Sequence, residues 1–192
     1  MIKNTKKIAL NFKILRFFLI PIILISTPFF CNTKDVNAGL EFQWDQDSGF
    51  RRLKWFQKEN KRKLRNKIYF FFRPSDRKTD LLKINLAIPK TFKSSLNEEK
   101  ISFCKVNIGG FESRTKCLED IPADIEINRE ESGVRSINIY PYSPVPSNKE
   151  SYAILLKVSN PKRSGLYQFH AYGQSKGKSV SSYLGSSTIV ID

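Results

Sequence analysis

The sequence predicts a mostly β fold, a β-sandwich, on three observations. From Ile68 onward apolar residues recur with a period of two in short runs. Those runs are separated by Pro, Gly, Ser and Asp, the residues that make turns. The chain of 192 residues is 40% hydrophobic and 27% charged, the composition of one globular domain with a core rather than of a disordered chain.

Taken in order, residues 1–38 differ in kind from the rest. Lys3, Lys6, Lys7, Lys13 and Arg16 form a basic opening, followed by an uncharged run from Phe17 to Phe30 that Pro21 and Pro28 interrupt. At about 1.5 Å of rise per residue this run falls short of the ~20 residues a bilayer core requires. With Val36-Asn37-Ala38 after it, the segment is expected to be a signal peptide cleaved between Ala38 and Gly39, and the protein to be exported to the periplasm or cell envelope. The competing reading, a lipid-modified Cys31, is disfavoured by Pro28, Phe29 and Phe30, because lipoprotein processing wants small residues there. Residues 1–38 hold six of the 33 basic and one of the 18 acidic side chains, so the remainder carries 27 against 17 and a net charge of +10.

Residues 39–67 are expected to be an extension ending in a basic helix. Over Phe50 to Lys67 and into Ile68, Phe50, Leu53, Phe56 or Gln57, Leu64 and Ile68 recur at intervals near three and four, and nine of the seventeen residues from Arg51 to Lys67 are Lys or Arg. Residues 68–192 are expected to be the sandwich, Ig-like in the number and spacing of its strands. Ile68–Arg73 is apolar enough for burial on both faces. Leu82, Ile84, Leu86 and Ile88 alternate with Lys83, Asn85 and Ala87, which implies one buried face, and Pro89 ends that strand for want of a ladder donor. Further strands are expected at 101–108, 125–128, 135–140, 152–160, 166–172 and 183–191.

Loss of Cys31 with the signal leaves Cys104 and Cys117, an even pair in an exported chain, so a disulfide is expected. A two-cysteine metal site lacks further ligands, since His170 is the one histidine. If Gly109-Gly110 marks a hairpin tip, a four-residue loop 109–112 pairs Ile108 with Ser113 and sets Cys104 opposite Cys117.

Several strings resemble those of an exported cyanobacterial family known only as a domain of unknown function. They are LEFQWD at 40–45, YFFFRPSDRKT at 69–79, GGFESRTKC at 109–117, IPA at 121–123, PVP at 144–146, NPKRSGLYQFHA at 160–171 and SYLG at 182–185. The resemblance implies an envelope-exported β domain; no catalytic residue comes with it.

Chemistry is sparse. No GxSxG, GxGxxG, GxxxxGK[ST] or DxDxDG string occurs, which removes the usual support for a nucleophile elbow, a phosphate loop or a calcium loop. His170 sits in LYQFHAY, on the side that alternation turns to solvent, and no acid partner is evident for Ser182, Ser186 or Ser187. Glu112, Glu119, Asp120, Asp124, Glu126, Glu130 and Glu131 are the candidate carboxylates for a glycosidase pair. What remains is charge: Lys61, Arg62, Lys63 and Arg65 in the basic segment, with Arg73, Arg77 and Arg114 as a guanidinium cluster, are the candidate anion-binding residues. No cofactor or metal is expected. The expected activity is non-enzymatic: a binding module for an anionic envelope component or an acidic protein, with peripheral membrane association open and export arguing against nucleic acid as the physiological partner. The alternatives are an envelope-modifying hydrolase built on paired carboxylates, or a structural subunit of an envelope assembly.

Overall fold

The computed structural model describes residues 49–110, 113–131 and 133–192. The expected signal peptide, its cleavage point at Ala38 and Gly39, Cys31, the LEFQWD string and Glu112 lie outside these residues.

Among the described residues ten strands form two antiparallel five-stranded sheets. They are β1 Trp55–Gln57, β2 Arg65–Phe72, β3 Leu81–Ile88, β4 Ile101–Asn107, β5 Lys116–Asp120, β6 Ala123–Arg129, β7 Arg135–Pro141, β8 Tyr152–Ser159, β9 Gly165–Ser175 and β10 Ser182–Ile191. One sheet runs β1-β2-β8-β4-β5 and the other β10-β9-β3-β7-β6. Their inner faces share one core: Ile68, Phe70, Phe103 and Ile154 from the first sheet meet Ile84, Leu86, Ile137 and Phe169 from the second. Phe70 and Phe169 pack with ring centroids 4.9 Å apart. Between β3 and β4, Phe92 inserts edge-on against Tyr167 and Phe169. The Arg135 guanidinium holds that connection in place by donating to the Phe92 and Ser94 carbonyls.

The strand reading from alternation holds, with two refinements. Ile84, Leu86 and Ile88 are buried as expected, but a register shift between Leu81 and Lys83 turns Leu81 inward and leaves Leu82 exposed. In β2, Ile68, Phe70 and Phe72 enter the main core, while Tyr69 and Phe71 lie on the opposite face in a second, smaller cluster.

The basic helix expected over Phe50–Lys67 is not formed; this stretch is extended backbone, the short strand β1, a turn, and the start of β2. Its backbone groups bond to distant strands rather than to the next turn of a helix. Leu53 N–H donates to the Ser186 carbonyl (2.8 Å), Ser186 N–H to the Arg51 carbonyl (2.7 Å) and Phe71 N–H to the Lys54 carbonyl (3.0 Å). The first two bonds cover the β10 edge, which would otherwise stand open, and the third ties the segment to β2. Gly185 allows the close approach: at φ +150° a Cβ there would lie 2.7 Å from the Arg51 carbonyl oxygen. A turn at 61–64 is pinned from outside by Asn160, whose amide donates to the Glu59 and Lys61 carbonyls. Extension also separates cations that a helix would stack at i,i+4. The described part of the segment therefore packs as part of the sandwich.

Candidate anion-binding face

Period-two geometry and strand register together build the outer face of the first sheet. β2 and β8 pair Arg65 with Ser159, Lys67 with Lys157, Tyr69 with Leu155 and Phe71 with Ala153. β4 sets Cys104 opposite Ala153, and β1 sets Phe56 opposite Tyr69. All of these side chains point away from the core, because their neighbours in sequence point into it.

The face divides in two. At one end Tyr69, Phe71, Cys104, Val106, Ala153 and Leu155 form the second apolar cluster, each at most 7% exposed, with Ile108 and Cys117 packed on it. The Cys104–Cys117 disulfide, with Cα atoms 5.7 Å apart, ties Cys117 over the cluster. The disulfide is as expected; the register is not. Cys117 lies opposite Val106 and Cys104 opposite Asp120, with a shift at Lys105/Val106, so the bridge runs diagonally along one face. Pairing ends at Asn107 and Lys116, giving a longer connection than the expected four-residue hairpin loop. Gly109 is not a hairpin tip either. It lets the two limbs of the loop approach, since a Cβ there would sit 2.5 Å from the Thr115 nitrogen, and its N–H donates to Thr115 Oγ1 at 3.1 Å.

At the other end the face is cationic. Lys58, Arg65, Lys67, Lys100 and Lys157 line a depression of about 620 Å³. A second depression, of about 690 Å³, shares Lys58 and Lys67 and adds Phe56, Tyr69 and Arg114. The two ion pairs found among the described residues, Arg73–Asp76 and Lys105–Glu150, involve none of these six cations. Glu59 lines the first depression, but its carboxylate accepts the Asn60 and Lys61 N–H groups of the turn. Lys67 and Lys157 are direct cross-strand partners, an arrangement that costs stability in the absence of an anion.

The candidate residues from sequence are thus separated. Arg65 and Arg114 fall on this face, in the first and second depressions respectively. Lys61, Arg62 and Lys63 are exposed on the adjoining turn. Arg73 donates to Asp76 through Nε (3.0 Å) and Nη2 (3.1 Å), and this hydrogen bonding, chiefly, raises its pKa. Arg77 is buried, donates to the Pro146 and Glu150 carbonyls and stacks 4.5 Å over Tyr152, while desolvation lowers its pKa. Arg73 and Arg77 therefore brace the 73–77 turn and do not join Arg114. Lys58 and Lys67 were read only as part of the basic segment, and Lys100 and Lys157 escaped sequence reasoning. Lys157 carried a signal, as the one charge inside the otherwise apolar YAILLKV.

The catalytic alternatives are also placed. His170 is half-buried, and its Nδ1 is 2.6 Å from Ser186 Oγ, which lies 2.5 Å from the Tyr183 hydroxyl. Ser186 is only 1% exposed, so this is a satisfied internal hydroxyl rather than a nucleophile open to substrate. Glu119 and Glu150 share a small depression beside Lys105. The Lys105 hydrogen bond chiefly holds Glu150 below the usual carboxylate range, the wrong direction for a general acid. Cys104, Cys117 and Asp120 cluster closely, but both sulfurs are committed to the disulfide.

A family model described as "Protein of unknown function (DUF2808)" matches residues 45–191. The chain belongs to that family. The match spans every strand and both depressions of this DUF2808 protein. No curated protein matches it. Among solved structures it is similar to BslA, a bacterial hydrophobin, at 14% identity over 73% of this chain and 97% of that one, with a TM-score of 0.45. It is also similar to the collagen-binding domain of a Staphylococcus aureus adhesin, at 12% identity over 71% and 95%, TM-score 0.36. The collagen-binding subdomain of the Enterococcus faecalis surface protein ACE shows 12% identity over 71% and 95%, TM-score 0.37. Similarity at this level says nothing of ligand or activity.

Proposed function

We propose that this DUF2808 protein is an exported, non-enzymatic binding module that holds an anionic polymer of the cell envelope on the outer face of its first sheet. The observation that carries the reading is the Lys67–Lys157 cross-strand pair, set among Lys58, Arg65 and Lys100 with none of them in an ion pair among the described residues. Like charges directly opposite on a sheet are destabilising. A polyanion laid across them removes that repulsion and gains counterion release. Export is supported by the basic and apolar opening of the chain. A serine-nucleophile version of the hydrolase alternative finds no support in Ser186, which is buried.

The test is salt-dependent retention on an immobilised sulfated polymer, comparing Lys67→Gln/Lys157→Gln with Lys61→Gln/Arg62→Gln/Lys63→Gln. Each lost contact lowers the slope of log K against log salt by about 0.7, the value for single-stranded polyanions. The sheet-face double variant is expected to lose at least one unit of slope with an unchanged or higher melting temperature, and the turn variant to lose less. Equal retention of the double variant and wild type would refute the proposal.

A further inference from the structure

The geometry points to an acidic polysaccharide as the polymer, bound through two contiguous subsites; this rests on the reading above that the face binds anions. Ligand pockets for small molecules run about 300–1,000 Å³. Depressions of about 620 and 690 Å³ are therefore sized for sugar residues rather than for lone phosphate or sulfate ions. Because Lys58 and Lys67 line both, a ligand that fills one meets the other's cations, which suits a chain with repeated acidic groups.

The lining distinguishes between polyanions. In the first subsite Ser95, Asn97 and Ser159 stand among the amines, and such groups pair with a ligand that carries hydroxyls between its charges. In the second, Phe56 is 41% exposed on the outer face beside Lys58, Lys67 and Arg114. An exposed ring with a negative face receives the C–H face of a sugar, and its flanking cations receive that sugar's acid group. A polyphosphate offers the ring nothing. An acyl chain has nowhere to go, since Tyr69, Phe71, Val106 and Leu155 are at most 7% exposed beneath the disulfide-tied Cys117.

The full-length chain is titrated calorimetrically at fixed salt with four probes of matched charge density: a sulfated or uronate disaccharide, the hexasaccharide, polyphosphate and oligothymidylate. The wild-type chain is expected to bind the hexasaccharide at least tenfold more tightly than the disaccharide, and more tightly than polyphosphate. Phe56→Ala is expected to weaken the hexasaccharide about fivefold to tenfold and leave polyphosphate within twofold, whereas Lys67→Gln/Lys157→Gln weakens all four. Phe56→Tyr, which keeps the ring, is expected to retain wild-type affinity. If Phe56→Ala leaves the hexasaccharide unchanged, or polyphosphate binds the wild type as tightly, the polysaccharide inference falls while the anion-binding face stands. If oligothymidylate is the tighter and more Phe56-dependent ligand, the occupant is a single-stranded nucleic acid instead. Indifference of every probe to Lys67→Gln/Lys157→Gln overturns both readings. The comparison of disaccharide with hexasaccharide on the wild type decides the two-subsite claim even where Phe56→Ala fails to fold.

Discussion

The Cys104–Cys117 bridge closes a loop with a sequence separation of 13. In the chain-entropy treatment a loop of that length restricts the unfolded ensemble by about 3 kcal/mol at 25 °C. For a domain of this size each kcal/mol moves the melting temperature by about 2–4 °C, so reduction is expected to lower it by about 6–12 °C. The same bridge holds Cys117 over the second apolar cluster, where Cys104 and Cys117 pack on Tyr69, Phe71 and Leu155. Cys104→Ala/Cys117→Ala is therefore expected to cost slightly more than reduction, by roughly 1 kcal/mol for the shortened side chains. The assay is urea denaturation followed by tryptophan fluorescence, with and without reductant, for the wild type and the double variant. Reductant should shift the wild-type midpoint and leave the variant unmoved. A wild-type loss below about 1 kcal/mol would refute the reasoning. It would mean that Gly109 N–H to Thr115 Oγ1 and Gly110 N–H to the Ser113 carbonyl already fix the connection without the covalent tie.

Two further outcomes concern the 73–77 turn and its neighbours. Glu150 sits below its ordinary value of 4.5, chiefly through the Lys105 hydrogen bond, so its contribution is present above that value and fades as pH falls through the lower folded value. Lys105 is raised above 10.5 by the same bond, so its share is present below 10.5 and fades as pH rises past the folded value. Glu150→Gln should flatten both limbs of the stability–pH curve measured by urea midpoint; an unchanged acid limb would show that the pair adds nothing. Arg77→Met keeps an unbranched apolar stem but removes the guanidinium that lies over Tyr152 and donates to the Pro146 and Glu150 carbonyls. It is expected to cost about 3 kcal/mol by chemical denaturation while leaving the salt slope of polymer binding intact, and a loss under 1 kcal/mol would mark the guanidinium as dispensable.

The alternation of β3, β7 and β9 was legible because each has one face in the core, β8 was legible as an apolar run, and the expected and observed limits of all four differ by a few residues. β1 and β5 were not legible. β1 is three residues long, and β5 reads KCLED, with Leu118 left outside the ladder and 55% exposed. The basic segment was misread for a physical reason. Its apolar spacing fits a helix, yet Leu53 and Ile68 are fully buried while Phe56 and Leu64 between them are 41% and 47% exposed, so the spacing recorded no continuous buried stripe. Non-local bonds to β10 and β2 outweighed local helix bonds in a stretch where cations repel one another.

The candidate site was hidden for a different reason: its parts are distant in sequence and are joined only by register. Lys67 and Lys157 become partners because β2 and β8 pair antiparallel, and a slip of one residue would turn Lys157 into the core and Leu156 out. That same register sets Ile68 against Leu156 and Phe70 against Ile154, both pairs fully buried. The packing that makes the core therefore enforces the opposition of the two lysines on the other side of the sheet. Any sequence that keeps Ile68, Phe70, Ile154 and Leu156 buried could relieve the repulsion by one exposed substitution at 67 or 157, at no cost to the core. The lysine pair is thus a burden the fold does not need, and it is this opposition that the proposed anionic ligand would relieve.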